Sequence, residues 1–417
     1  SASDVVLITS STKIHSAGSA TAPTGVTIYT NGALATEGIN IASFDSSIWS
    51  KDNNGNVLFN GKIVVNAPVK VDKEADLILK TSGDQTFTLD LSAVSGLTAD
   101  AVTEVVETAE GKTITFAKAT DTSLSLTMTD IIATASGEKY IRVRTADNAY
   151  DFPIILADVA IADNDGLKAL DSALKAATGA GAGVSGYYVL TADLDFSQDA
   201  EFVMGDYVTG GYYIDNSGCG NIFSGTFNGM GNSITGVKVG RTGMFGNVTG
   251  TIKNVALIDI YANDQADDGS HPRGSNALCD FLTGTLENVY MSCSLGVTGY
   301  WYTGIFYESK GATIKDCVFE VTLRDNVKAA DSVLGMVRTN TWEDVLVITA
   351  SNKIMANNGG TGTESTSPDA ENCRIYATET AACSGEDLSG FDSTIWSKDG
   401  SGNILFNGDI VVTAASA

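Results

Sequence analysis

The sequence predicts an all-β fold with more than one domain. Of the 417 residues, 44 are Gly, only 5 are Pro and 43% are apolar. Thr, Ser, Val and Ile are abundant, which favours strands and turns over helices. A period near 28 residues fills the second half of the chain, and short alternating strands fill the middle. A chain of this length exceeds the size at which one core usually stops growing, so two or more domains are expected.

Five segments of the second half share one frame, with an Asn or Asp among apolar residues at spacings of 34, 28, 28 and 28. This period is too long for a heptad and lacks the helical halves of helix-pair repeats, so it is typical of the coils of a parallel β-helix. The polar positions are interpreted as a structural turn ladder, with a metal or catalytic line as the alternative. They are Asn254, Asn288, Asp316, Asp344 and Asn372. The residues that follow them are predicted to stack inward; they are Val255, Val289, Cys317, Val345 and Cys373.

Two stretches carry a more specific pattern: FSGTFNGMGNSITGVKV at 223–239, continuing through GMFGNVTGTIKNVAL at 243–257, and YYVLTADLDFS at 187–197. They resemble the GLUG-motif family of bacterial surface proteins, and the resemblance covers roughly residues 160–410. It implies a right-handed β-helix, an extracellular location and a surface role. Members of the family often carry Ig-like domains, and the resemblance fixes no ligand.

The two ends of the chain are copies of each other. Residues 44–65 recur at 391–412 with an offset of 347, and residues 4–14 recur at 344–354 with an offset of 340. Residues 1–65 are therefore predicted to be the last coils and capping hairpin of a β-helix whose earlier coils are absent from this chain. Trp49 and Trp396 are equivalent and are interpreted as capping residues, with a ligand platform as the alternative. An open coil end needs a cover, which a tandem neighbour, a stacked second molecule or the chain's own helix could supply.

Between these copies the sequence predicts two further parts. Residues 66–160 contain about six short alternating strands, which fit an Ig-like β-sandwich. Residues 161–186 are predicted to be a capping helix and linker, because Leu167, Leu170 and Leu174 fall on one helical face. Residues 187–412 are predicted to be the GLUG-type β-helix with its capping hairpin.

The net charge of −25 argues against nucleic-acid binding. The sequence contains no apolar run of membrane-spanning length and predicts no membrane insertion. Its first residues lack the pattern of a signal peptide, so a secreted protein is expected whose signal is absent from this chain. No cofactor is predicted. Ca²⁺ is the candidate ion, with Asp264, Asp267 and Asp268 as candidate ligands in the loop at 263–274, and a solvated loop is the alternative.

Four aromatic residues lie close together in the sequence and are candidates for glycan binding: Tyr300, Trp301, Tyr302 and Tyr307. Exposed aromatic rings stack on sugar rings, and packing of the same rings on the β-helix is the alternative. No catalytic residues are predicted. His15 and His271 are the only histidines, and no pair of acidic residues recurs at the coil period.

The function predicted from these patterns is that of an extracellular, non-enzymatic structural or adhesive protein. It would form part of a fibre, filament or tandem-repeat stalk on a bacterial surface. Its expected partners are copies of itself or tandem neighbours, joined end to end, and a host or bacterial surface glycan. Two alternatives stay open: a bacteriophage virion fibre or tail component, and a β-helical polysaccharide-degrading enzyme.

Overall fold

A computed structural model of the chain describes residues 5–9, 26–29, 41–52, 55–65, 67–80, 85–145, 148–179, 181–199, 201–205, 220–240, 242–262, 276–296, 304–324, 332–356, 363–364 and 367–414. Contacts divide the chain into two compact units, Ser1–Leu156 and Ala157–Ala417. The four-part division expected from the sequence stays a prediction.

The N-terminal unit is built from short strands with one turn of 3₁₀-helix at Ala99–Ala101 and one short helix, α1, at Met128–Ile132. Its strands are β1 Val5–Ile8, β2 Val26–Tyr29, β3 Trp49–Lys51, β4 Val57–Phe59, β5 Lys62–Val65, β6 Val69–Lys70, β7 Asp76–Leu79, β8 Thr86–Asp90, β9 Glu104–Glu107, β10 Lys112–Thr113, β11 Phe116–Thr120, β12 Ser123–Thr127, β13 Gly137–Arg144 and β14 Ala149–Ala157.

Two sheets hold the middle of the chain. One has the order β10-β9-β13-β14-β6 with β7 also on β14, and the other has the order β11-β12-β8. A shared apolar cluster includes fully buried Leu89, Leu124 and Phe152. Ile114 lies between β10 and β11, where its N–H donates to the Val105 carbonyl at 2.9 Å. The strand β9 was not predicted, because its sequence EVVE has little alternation.

The C-terminal unit begins with β15 Val159–Ile161 and helix α2 at Asn164–Ala176, and helix α3 lies at Glu379–Gly385. The other strands are β16 Gly183–Val184, β17 Tyr187–Leu190, β18 Leu194–Asp195, β19 Val203–Met204, β20 Ile222–Phe223, β21 Thr226–Asn228, β22 Ser233–Thr235, β23 Lys238–Val239, β24 Asn247–Val248, β25 Thr251–Ala262, β26 Cys279–Leu282, β27 Thr285–Leu295, β28 Phe306–Ser309, β29 Thr313–Leu323, β30 Met336–Val337, β31 Thr341–Ile348, β32 Met355–Ala356, β33 Thr363–Glu364, β34 Cys373–Tyr376, β35 Trp396–Lys398, β36 Ile404–Phe406 and β37 Asp409–Val412.

Helix α2 follows the first strand of this unit, as the leucine spacing predicted. Asp163 is its N-cap, and its carboxylate accepts from the Gly166 N–H at 2.9 Å, which satisfies an N-terminal amide. Leu167, Leu170 and Leu174 are buried in the main core of the unit. The helix and its buried leucine face are present as expected, and the role of the helix as a cap stays a prediction.

Two long sheets make up most of the unit, one of twelve strands and one of eight. From β24 to β31 the chain alternates between the sheets, adding one strand to each in turn. We call each such pair of strands a layer. Neighbouring strands run parallel, apart from the antiparallel β32 and β33. The all-β class is confirmed, and the 28-residue period is the length of chain in one layer.

The register of the twelve-strand sheet stacks equivalent residues. Val255 pairs with Val289, Cys317 with Val345, and Val345 with Cys373. All five are fully buried. The predicted inward ladder is confirmed, and its two cysteines are buried free thiols.

The Asn/Asp positions before this ladder have left-handed backbone geometry. Asn254, Asn288, Asp316 and Asp344 have φ between 48° and 52°. Asn and Asp tolerate this region better than other residues with a side chain, which explains why they interchange here. Asn372 does not belong to the positive-φ group; its side-chain amide donates to the Asp369 carboxylate at 3.1 Å.

Candidate docking groove

Two hairpin modules have the same construction. The N-terminal lid is residues 41–65 with β3–β5, and the C-terminal lid is residues 388–412 with β35–β37. Trp49 pairs with Phe59 in the first lid, as Trp396 pairs with Phe406 in the second. The register shift between the last two strands also falls at the same place in both lids. The sequence copy therefore folds to the same local structure twice.

Hydrogen bonds inside the lids repeat as well. The Asn60 N–H donates to the Ile48 carbonyl at 2.8 Å, and the Asn407 N–H donates to the Ile395 carbonyl at 2.7 Å. Both Asn60 and Asn407 have φ of 49°. Local turns of this kind fix a hairpin through its own backbone and need no partner.

The packing of aromatic rings also repeats in the two lids. In the N-terminal lid the Trp49 ring is 5.6 Å from Phe44 and 5.0 Å from Phe59. In the C-terminal lid the Trp396 ring is 5.7 Å from Phe391 and 5.1 Å from Phe406. All four contacts are edge-on. The N-terminal lid therefore has the same aromatic packing as the C-terminal lid, although fewer residues cover it.

The strands before each lid also correspond. β1 pairs in parallel with β2 with Val5 opposite Val26, and β31 pairs in parallel with β34 with Val345 opposite Cys373. However, β31 also pairs with β29 on its other side. In the described residues β1 pairs only with β2. Within that part of the chain, the second edge of β1 is a free strand edge.

The C-terminal lid packs on the outer face of the twelve-strand sheet. One column of that face consists of Ala256, Tyr290, Val318 and Leu346, paired in consecutive layers. These residues form one cluster with Trp396, and each is at most 3% exposed. The lid thus extends along the side of several layers.

Two polar contacts fix the C-terminal lid on the layers. The Asn288 side-chain amide donates to Asp392 Oδ2 at 3.2 Å. The Asn407 amide donates to the Gly231 carbonyl at 3.2 Å. A Cβ at Gly231 would lie 2.2 Å from Asn407 Nδ2, and the φ of Gly231 is +83°. Glycine is required there because the lid approaches the backbone so closely.

The N-terminal lid borders an open apolar groove of about 410 Å³. Its lining consists of β1, the lid strands and the segment before them. The lining residues are Val5, Val6, Ile8, Ile41, Phe44, Trp49, Val57, Val64 and Val65. Nine apolar side chains line this groove, and those of Val5, Ile8 and Val64 are exposed.

Equivalent side chains in the two repeated segments differ in their exposure to solvent. Val5 is 43% exposed and Ile8 is 38% exposed, whereas the equivalent Val345 and Ile348 are 0% and 3% exposed. Phe59 is 40% exposed, and its equivalent Phe406 is 2% exposed. The difference arises because the layers that cover the C-terminal lid have no counterpart over the N-terminal lid among the described residues.

Not every face of the lids differs in this way. Ile63 is 50% exposed and its equivalent Ile410 is 54% exposed. These residues face away from the layers in the C-terminal copy. The open groove is therefore confined to the face that the C-terminal copy uses for packing.

A carboxylate begins the last turn before each lid hairpin. Asp45 accepts from the Ser47 hydroxyl at 2.6 Å and from the Ser47 N–H at 2.9 Å, and these bonds hold its pKa below the usual range. Burial opposes the ionised form of Asp392, but hydrogen bonds from the hydroxyl and N–H of Thr394 and from Asn288 still lower its pKa. Both residues are thus anionic acceptors near neutral pH.

The turn ladder forms a chain of side-chain hydrogen bonds along the layers. Asn254 Nδ2 donates to Asn228 Oδ1 at 3.1 Å, and Asn288 Nδ2 donates to Asn254 Oδ1 at 3.0 Å. The next position is Asp316, which is 2% exposed. Asn288 Oδ1 and Asp316 Oδ1 are buried and have no hydrogen-bond partner among the described residues. An ionised carboxylate cannot donate, so the chain of bonds ends at Asn288.

Burial, together with the neighbouring Asp344, Asp392 and Glu287 and against the attraction of Lys315, raises the pKa of Asp316 to about 6. Asp344, at the next ladder position, forms an ion pair with Arg374, whose Nη2 lies 3.4 Å from Asp344 Oδ1. Protonated Asp316 carries the donor that Asn288 Oδ1 lacks.

Of the predicted glycan-binding residues, Tyr307 lies in the described part of the chain. It is partly buried, packs edge-on against Phe281 with ring centroids 5.5 Å apart and contacts the cluster of Met336 and Ala356. The other predicted ligand residues and the two histidines lie outside the described residues: Tyr300, Trp301, Tyr302, Asp264, Asp267, Asp268, His15 and His271. The predicted glycan and metal sites stay predictions.

Two broader features of the described ranges bear on the class of protein. There, no helix combines the length and the apolar character needed to cross a bilayer. The same residues contain no group of three or more His, Cys, Asp or Glu side chains arranged to hold a metal ion. Comparisons of the chain with protein-family models, with curated proteins and with solved structures found no match.

The groove itself was not predicted from the sequence. The signal that could have located it is the repeated segment, since the two lids carry apolar residues at corresponding positions. Similar sequences predict that both lids have a similar apolar face. Which of the two faces is covered is found only by comparing the residues that surround each lid.

Proposed function

We propose that this chain is an extracellular, non-enzymatic structural protein whose repeats join end to end into a fibre or stalk. In this proposal the two long parallel sheets are walls of a right-handed β-helix, and the two sheets of the middle region form an Ig-like sandwich. The alternation of strands between the parallel sheets and the 28-residue layer support the first assignment.

A single observation carries the functional proposal. The N-terminal lid has the same local structure as the C-terminal lid, but the face that is covered in the C-terminal lid is open in the N-terminal lid among the described residues. A preformed apolar face beside a strand edge that has no partner among the described residues favours association, since unpaired edges and apolar patches are otherwise an aggregation hazard. In the C-terminal lid of the same chain, the equivalent face is covered by stacked layers. Joining repeats through such lids gives a linear assembly.

The bacterial surface location rests on the resemblance to GLUG-motif proteins and on the acidic composition, which suits an exposed, soluble surface. Solenoids also present long lateral faces to ligands. Adhesion to glycans is the second part of the proposal.

Electron microscopy of the protein from its natural source tests the fibre. We expect linear particles with a regular axial repeat, because each repeat contributes one lid and one stack of layers. Light scattering of the same material should give a mass well above 43.3 kDa. Discrete particles of monomer mass would contradict the proposal.

A glycan array tests adhesion. We expect the full chain to bind a subset of glycans and Trp301→Ala to lose that binding, because stacking on a sugar ring needs the indole. Tyr307→Phe is the control, since its ring already packs on Phe281. Equal signals from the parent protein and Trp301→Ala would remove this loop from the proposal.

A further inference from the structure

We propose that the groove of the N-terminal lid binds the outer face of the layers of a second copy of this chain. The inference rests on the proposed function and names the partner surface. In the C-terminal copy, the equivalent face is occupied by strand β29 and by one outward column of the twelve-strand sheet. The expected partner of the open groove is therefore the twelve-strand sheet of a second copy, through its parallel strands and their outward side chains.

Strand register defines the contact. Leu346 pairs with Val318 of the preceding layer, and Val6 is the residue equivalent to Leu346. The edge of β1 is free among the described residues and has the same parallel register to its next strand as β31. A docked copy places its Val318 beside Val6, so that its β29 adds to the edge of β1.

The two lids also carry the same polar residues at the positions that contact the layers. Asn407 at the tip of the C-terminal lid donates to the Gly231 carbonyl, and Asn60 has the same backbone geometry at the tip of the N-terminal lid. Asp392 accepts from Asn288, and Asp45 has the same turn and the same internal hydrogen bonds. Gly231 and Asn288 of the second copy are the expected partners of Asn60 and Asp45.

Each chain already covers its own layers with its C-terminal lid. That lid has the advantage of a high effective concentration, because it is connected to the layers it covers. Docking between copies is therefore an exchange, in which the N-terminal lid and β1 of one copy replace the C-terminal lid and β31 of another. Exchange of equivalent elements is a low-cost route by which protomers associate, and a head-to-tail exchange that does not close on itself gives a linear chain.

Disulfide trapping in the full chain tests the contact. The variant carries Val6→Cys and Val318→Cys in a Cys219→Ser background and is refolded at high concentration with oxidised glutathione. Neighbouring strands lie about 4.8 Å apart, which is within disulfide range. The described native thiols are buried, and burial raises the pKa of Cys317 next to the new cysteine, so they react slowly. We expect a ladder of reducible dimers and higher oligomers on a non-reducing gel.

The matched control is Ile63→Cys with Val318→Cys. Ile63 lies in the same lid but on the face that is exposed in both copies, so we expect no cross-linked oligomers. Equal cross-linking of both variants would overturn the proposal. A disulfide between the two introduced cysteines that is confined to monomers would also overturn it, because the chain would then cover its own groove. Native fibres without this cross-link would overturn the partner assignment alone. Monomers in electron microscopy together with no cross-link would remove both proposals.

Discussion

Replacing Trp396 by Ala is expected to lower the free energy of unfolding of the C-terminal unit by about 3–5 kcal/mol. The Trp396 ring is 2% exposed and joins the lid to a column of residues from several layers. Removing it leaves a cavity that rigid neighbouring strands cannot fill. Urea unfolding measures the loss, and hydrogen exchange over residues 388–412 should show the lid opening separately from the layers.

Trp49→Ala is the matched variant, because Trp49 has the same neighbours within its own lid. Its ring is only partly buried and borders the open groove. We expect the N-terminal unit to lose about 2 kcal/mol or less, since a side chain that is only partly buried gives up less buried area than a fully buried one. Losses of equal size for Trp49→Ala and Trp396→Ala would mean that the groove is covered in solution, and would contradict its description as an open surface.

The substitution Asp316→Asn is expected to stabilise the C-terminal unit by about 1–3 kcal/mol above pH 6. An amide at this position donates to Asn288 Oδ1 and continues the chain of side-chain bonds from Asn228 through Asn254. It also removes a buried negative charge near Asp392. Asn keeps the left-handed backbone that Asp316 has at φ 51°.

The pH dependence has a definite sign. The pKa of Asp316 is raised from 3.8 to about 6 by burial first and by neighbouring carboxylates second. A raised carboxyl pKa means that the folded state binds the proton more tightly than the unfolded state. The stabilisation is complete below pH 3.8 and is lost as the pH rises through about 6.

Urea unfolding between about pH 4 and pH 8 tests this dependence. We expect the parent chain to lose stability across the window and Asp316→Asn to lose about 1–3 kcal/mol less. Asp344→Asn is the control at the next ladder position, because its charge is paired with Arg374 and its loss brings no stabilisation. A parent chain and an Asp316→Asn variant with parallel profiles would show that Asp316 does not titrate in this range.

Several features were predictable because they are local. The 28-residue spacing predicted the layer length, the alternation after each Asn/Asp predicted which residues point inward, and the leucine spacing predicted helix α2. Such patterns depend on residues within one strand or one helical turn. Strand β9 was missed because its sequence carries no alternating signal.

The sequence by itself determined that the chain contains stacked β layers and two equal lids. Tertiary structure decided which lid is covered, because that depends on contacts between residues far apart in the chain. Asn288 and Asp392 are 104 residues apart, and Gly231 and Asn407 are 176 apart. Periodicity predicts which face of its own strand a side chain lies on, but it does not predict which distant segment of the chain packs against that face. The exposure of Val5, Ile8 and Phe59 follows from that missing contact.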